Sequence, residues 1–261
     1  MSKKVPLPLK QKTILEKGDT LYQPGISVDC TIFSFHDNVL KVLLLKVKQV
    51  DKWALPGGFI FKKETIETAA YRVLQERTGV ANIFLQQFNA FGEPNRSDSS
   101  IHLTRYLEYG IKVPKDNWLL QRFITIGFYA LIDFTEVNLE DEDSNEGAEW
   151  IDINKLSNLI MDHENIILKA LEVLRTQLAY LPIGRNLLQK KFTMPELQKL
   201  YETILDQKLD RRNFQRKMIG FGILNKLNET RKGGAHKAPF LYTFNDKKYQ
   251  KALKEGLYGS W

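Results

Sequence analysis

Between Trp53 and Val80 the chain reads WALPGGFIFKKETIETAAYRVLQERTGV, a stretch in which two glycines and several charged residues stand at fixed intervals. Gly57 and Gly58 close an apolar run, Glu64 follows in a short loop, and Arg72, Glu76 and Arg77 lie in a helical stretch that ends at Gly79. Positions 73, 76 and 77 are related as i, i+3 and i+4 and share one face of a helix. Three carboxylates there would make an oxygen-rich cage for Mg²⁺ or Mn²⁺. The residues present are Val73, Glu76 and Arg77, one carboxylate beside a valine and a guanidinium. A fixed positive charge repels a divalent cation, so the metal-assisted hydrolysis that such a cage supports is not expected and no metal site is assigned.

The elements that must position these residues are a strand, a tight loop and an amphipathic helix. Ile66, Ala69, Ala70, Val73 and Leu74 give the helix an apolar side, with alanines small enough for close approach to a sheet. Upstream, VDCTIFSF and LKVLLLKVK flank His36-Asp37-Asn38 as a hairpin, and FITIGFYALIDF is the most strand-like run downstream. The segment resembles a Nudix box, with Gly58, Glu64, Arg72, Leu74, Glu76, Gly79 and Val80 in register and Val73 and Arg77 in place of two of its glutamates. That resemblance implies a ligand cleft bordered by Gly57, Gly58, Glu64, Arg72, Glu76, Arg77 and, from the loop FGEPNRSD, Arg96. For Glu64, Arg72 and Glu76 a structural reading stands beside the functional one, with Arg72 bracing the loop through ion pairs. Arg77 has two readings as well, an anion contact made without metal or an exposed charge at a helix end.

The charge is unevenly placed. Residues 181–261 hold 17 Lys+Arg against 7 Asp+Glu, and the remaining 180 residues hold 21 against 24. A basic terminal module points to a polyanion as partner. Residues 184–256 read as three short helices and a β-hairpin: a capping box at Thr193-Met194-Pro195-Glu196 opens one helix, and RRNFQRKMIGFG forms the next. Phe214 and Met218 share the inward face of the latter, leaving Arg211, Arg212, Asn213, Gln215, Arg216 and Lys217 for DNA. The loop ETRKGGAHKAP adds Lys232, His236 and Lys237 for phosphates or an adjacent minor groove. This order of elements is a winged helix-turn-helix.

Taken together, VDCTIF, WALPGGF, AFGEPNR, TIGFYALID, KFTMPELQKLYE, LDRRNFQRKM and FLYTF resemble the Nudix-related transcriptional regulators, a bacterial group, over nearly the whole chain. The fold so implied is an α/β (α+β) Nudix sandwich with a mixed sheet, followed by the winged helix. The expected division is a mobile tail or surface arm at 1–20, a Nudix-like domain at 21–158, a linker helix at 159–180 and the DNA-binding domain at 181–261. The resemblance implies a homodimer on a palindromic double-stranded operator and a small-molecule effector, ADP-ribose or a pentose-type sugar such as arabinose. The rival reading is an active Nudix pyrophosphatase on ADP-ribose or a nucleoside diphosphate sugar. It would need Mg²⁺ or Mn²⁺, with Glu67 or a residue of the long 99–121 segment as a further ligand; a third reading is an RNA-binding adaptor. No other cofactor is expected. Composition adds that 43% of residues are hydrophobic and that the only cysteine, Cys30, excludes an intrachain disulfide. Neither a signal-peptide core nor an apolar run of membrane-spanning length occurs, so a cytoplasmic protein without membrane contact is expected.

Overall fold

The structure, a computed structural model, describes residues 7–47, 50–80, 83–134, 147–178, 181, 184–231 and 238–256. It divides into two units. The first carries most of the larger sheet and its helices; the second takes in Phe33–Lys41, a short stretch beginning at Leu131, and the chain from Leu171.

Helix α1 (Leu9–Leu21) opens the described chain and leads straight into β1 (Tyr22–His36). Of the stretch 1–20 read as a mobile tail or surface arm, the described part from Leu9 is helical. Lysines and polar residues dominate α1 in sequence, so its burial rests on a few positions that composition hides. Strand β1 returns as β2 (Val39–Val47) through Asp37 and Asn38, whose φ values of 52° and 62° suit a tight hairpin turn. Then come β3 (Lys52–Ala54), β4 (Gly57–Phe61), α2 (Ile66–Thr78) and β5 (Gln86–Phe91). Among the described residues the sheet has the order β3-β2-β1-β6-β5, where β6 is Ile124–Leu131; β4 pairs with β1, and β7 (Ala148–Asp152) pairs with β2. Helix α2 starts at Thr65, whose hydroxyl accepts from the Thr68 N–H, and stops at Gly79 in the left-handed region (φ 70°). It buries Ala69, Ala70, Val73 and Leu74.

The long segment 99–121 is structured. It forms α3 (Ser99–Glu108), capped by Asp98, and a 3-10 turn at Trp118–Leu120. This insertion and α1 share one aromatic core: Tyr22, Tyr106, Trp118 and Phe123 are buried together, with Phe59 and Ile14 against them. Carbonyls of α1 accept hydrogen bonds from Tyr106 Oη (to Gln11, 3.1 Å), Trp118 Nε1 (to Ile14, 2.9 Å) and Asn117 Nδ2 (to Leu15, 3.1 Å). Gly18 lets the helix sit down on the indole, since a Cβ there would come within 2.1 Å of Trp118. After β7 come a short 3-10 turn (Ile153–Lys155) and α4 (His163–Gln177).

In the second unit a 3-10 turn (Arg185–Leu187) stands in place of the first of the three short helices read from sequence. Then come β8 (Phe192–Thr193), α5 (Met194–Leu205), α6 (Arg211–Gly220), β9 (Leu224–Thr230), β10 (Phe240–Phe244) and a further helix, α7 (Asp246–Glu255). The small sheet runs β8-β10-β9. The capping box at Thr193 and Glu196 is formed in full, with proline in the first turn. Leu197, Leu200, Tyr201 and Ile204 of α5 and Phe214 and Met218 of α6 are buried, with the Tyr201 and Phe214 rings 5.3 Å apart.

Candidate functional site

In the first unit a cleft of about 330 Å³ opens above β4. Its wall is built from Gly57, Gly58, Glu76 and Arg77 of the Nudix-like segment, from Arg96, and from parts of α1 and α3. Gly57, Gly58, Glu76, Arg77 and Arg96 thus meet in one place. Glu64, in the loop between β4 and α2, and Arg72, on α2, are absent from that lining.

The glycines are there because β4 runs against crowded neighbours. Gly57 pairs with Asp29 of β1, and a Cβ on it would approach Asp29 Oδ1 to 2.1 Å; one on Gly58 would meet Val73 Cγ2 at 2.9 Å. Glu64 accepts from the Phe61 N–H (2.6 Å) and from Arg72 Nε (3.0 Å), while Arg72 Nη2 also donates to the Phe59 carbonyl (2.8 Å). The guanidinium lies over the Phe61 ring, 4.3 Å from its centre. Burial by itself would raise the Glu64 carboxyl, but the Arg72 guanidinium and the Phe61 N–H outweigh it and hold the group below the usual carboxylate range. The pair therefore braces the loop between β4 and α2.

Glu76 is engaged from two sides. Lys10 Nζ of α1 stands 2.7 Å from Oε2, and Arg72 Nη1 stands 3.4 Å from Oε1. Burial pushes this carboxyl up, and the Lys10 ammonium together with Arg72 brings it down further, so it is held ionised. Val73 is buried against Gly58, and Arg77 follows on the same face. A divalent cation needs several oxygen ligands of its own. The donor set at this helix does not fit one: a single carboxylate remains, and two cations already hold it. Glu67, read as a stand-in ligand for the hydrolase alternative, does not line the cleft. Among the described residues no three His, Cys, Asp or Glu side chains are grouped to hold a metal ion.

The cleft floor contains a buried polar network that the sequence reading found only in part. Arg96, 5% exposed, grips Asp162 with two parallel bonds of 2.9 Å and donates a third to the Phe123 carbonyl at 2.9 Å. Asp29 Oδ2 lies 3.9 Å from Arg96 Nη2, and its Oδ1 lies 3.9 Å from His163 Nε2. His163 Nδ1 accepts the Leu55 N–H at 2.8 Å, and burial lowers its basicity, so the imidazole is neutral with its proton on Nε2. Asp29, Asp162 and His163 carry no motif. Their partners are up to 108 positions away in the chain, and Asp29 comes opposite Gly57 only through the pairing of β1 with β4.

The second unit presents a different surface. Helix α6 begins at Asp210, whose carboxylate accepts from the Asn213 N–H. Arg211, Arg212, Asn213, Arg216 and Lys217 are exposed, and Gln215 is half-buried. Arg216 Nη2 donates to Asn213 Oδ1 at 2.9 Å, which aligns the guanidinium along the outer face. At the base of the hairpin Arg231 donates to Glu196 Oε2 (3.1 Å) and to the Lys191 carbonyl (3.2 Å), joining the wing to the start of α5. Lys232, His236 and Lys237 lie outside the described residues.

Comparison with known proteins agrees with both halves. The family model described as the NUDIX domain matches residues 23–172, and that of the NrtR DNA-binding winged helix domain matches residues 184–244. A curated relative from Acinetobacter baylyi, "ADPR responsive transcriptional repressor NtrR", is 28% identical over 228 residues, covering 85% of this chain and 82% of that protein. The "ADP-ribose pyrophosphatase" of Methanocaldococcus jannaschii is 30% identical over 160 residues, covering 60% of this chain and 79% of that protein. In fold the chain is similar to the crystal structure of Shewanella oneidensis NrtR complexed with a 27mer DNA. The TM-score is 0.67 at 24% identity, covering 86% of this chain and 95% of that one.

Proposed function

Because this chain belongs to the Nudix family and ends in an NrtR-type winged helix, we propose that it is a transcriptional regulator whose Nudix domain senses an effector and whose winged helix binds an operator. The observation that carries this reading is the pairing, in one chain, of a Nudix cleft whose box carboxylates are tied to cations with a recognition helix whose basic side chains face outward. The proposed effector is ADP-ribose. Lys10, Arg77 and Arg105 line the cleft and suit a diphosphate, and the Acinetobacter relative is named for a response to ADP-ribose. The expected domain limits remain part of the proposal, with the Nudix-like domain at 21–158, a linker at 159–180 and the DNA-binding domain at 181–261. A homodimer on a two-fold symmetric duplex completes it. Among the described residues no helix is long and apolar enough to cross a membrane.

Effector and operator are linked by differential affinity: a ligand that prefers the DNA-free arrangement must lower operator affinity by the same factor by which DNA lowers its own. The test is a fluorescence anisotropy titration of the full chain with the duplex upstream of its gene, with ADP-ribose or L-arabinose added. Sequence-selective binding that ADP-ribose weakens is expected. Replacing Arg212 or Arg216 by Ala should cost about 1–3 kcal/mol for each specific base contact. Selective binding unchanged in the double variant would remove α6 from the recognition role, and release by L-arabinose alone would replace the effector.

A further inference from the structure

We infer that Lys10 is a built-in cation that takes the place of the divalent metal at the Nudix helix, so that the cleft receives its ligand without metal. The inference rests on the reading of this cleft as the effector site. It concerns α1 and the insertion that holds it in place.

Three observations converge on Lys10. Its ammonium is 2.7 Å from Glu76, the one carboxylate remaining at the three helix positions that would form a metal cage. The other oxygen of Glu76 faces Arg72 at 3.4 Å, and Arg77 stands at the last position of the cage, so two cations engage the carboxylate and a third takes the place of a ligand. Finally, α1 does not reach this place by chance of a loose terminus. The insertion clamps it, through the Tyr106, Asn117 and Trp118 hydrogen bonds to its carbonyls and through the indole that fills the space a Gly18 side chain would need.

Physically, the substitution of ammonium for metal is conservative at one level and not at another. A Lys side chain supplies a point charge and three donors that a phosphoryl or hydroxyl oxygen can accept. It cannot polarise bound water into a nucleophile as a metal ion does. A cleft so equipped keeps the attraction for an anionic ligand and loses the means to hydrolyse it, which is what a sensor requires.

The experiment uses the full-length protein and Mn²⁺ alone, read by the loss of the free Mn²⁺ electron paramagnetic resonance signal. Wild type, Arg77→Glu and the double variant Lys10→Ala/Arg77→Glu are compared after circular dichroism has verified that each is folded. Arg77→Glu gives the helix a second carboxylate beside Glu76 while Lys10 stays in place. Wild type is expected to take up no Mn²⁺, the single variant little, and the double variant to bind it at least about tenfold more tightly than the single one, the effect of removing a unit charge roughly 5 Å from a divalent ion even at the dielectric constant of water. Uptake by wild type that Glu76→Gln abolishes would overturn the inference. So would equal uptake by the single and double variants, or no uptake by the double. None of these measurements involves an effector, so failure of ADP-ribose to act on DNA would revise the proposed function and leave Lys10 to stand on the Mn²⁺ result.

Discussion

At the scale of single residues, the clearest lesson concerns Glu64 and Arg72. Their spacing marks them as Nudix-box residues, and their hydrogen bonds, to each other and to the backbone of Phe59 and Phe61, make them a brace. Arg72→Ala would leave the Glu64 carboxylate half-buried beside one N–H, so unfolding in urea is expected to show a loss of about 2–4 kcal/mol, toward the lower end of values for broken buried pairs because both side chains keep some solvent. Acid weakens the fold through two kinds of group. His163 and His102 both have lowered basicity through burial, His102 to about 4, so below their ordinary value of 6.5 the unfolded chain binds protons that the folded chain refuses. Their contribution is complete above that value and is lost as pH falls. Glu64 and Glu76, held below the usual carboxylate range, add a further loss at lower pH, as pH drops through their depressed values. His163→Asn keeps an acceptor for the Leu55 N–H and removes one titration. The dependence of stability on pH between 7 and 5.5 should become shallower by at most about 1.4 kcal/mol per pH unit. The partners of Arg96 were not legible beforehand, because a bidentate bond between positions 66 apart leaves no mark on local sequence.

At the scale of elements, periodicity and capping gave reliable guidance wherever one element explains its own sequence. The β1–β2 hairpin, α2 with its apolar alanine face, and α5 with its capping box were all readable, because the signals are local: left-handed Asp37 and Asn38, Gly79 at a helix end, Thr193 reaching Glu196. Helix α1 was not readable. Its stabilising contacts are with Tyr106, Asn117 and Trp118, about a hundred residues away, and nothing in its own composition separates it from a tail. Gly18 is the position that reports on this docking. Gly18→Ala favours the isolated helix by roughly 1 kcal/mol, yet it places a methyl group inside Trp118. We expect the clash to win: limited proteolysis should cut within α1 of the variant while the second unit stays resistant, and an uncut α1 would show that the indole can give way. The winged-helix outline was legible down to the inward Phe214 and Met218, whereas α7 was not, its Lys-rich sequence having only Tyr249 and Ala252 buried.

At the scale of the whole molecule, the charge distribution sets how binding responds to conditions. With the excess of Lys+Arg confined to residues 181–261, operator affinity should fall steeply with salt, the logarithm of the constant declining by about 0.9 for each phosphate neutralised per tenfold rise in salt. Replacing an arginine of α6 that touches only phosphate should lower that slope by about one and leave sequence preference unchanged. Effector binding to the folded chain alone should raise its stability, by about 2.7 kcal/mol when ADP-ribose is present at a hundred times its dissociation constant. The quantity can be followed at the chain's own cysteine. Cys30 is fully buried in β1, its Sγ is 3.9 Å from the Ala70 carbonyl at the junction of sheet and α2, and burial pushes the thiol far up from its ordinary value. A thiol reagent can reach it only when strand and helix separate, so its rate of modification counts those openings one molecule at a time. The chain thus contains its own clock for breathing of the sheet: added effector should slow it, and an operator duplex held by the other unit should change its pace only as far as the two ligands speak to each other.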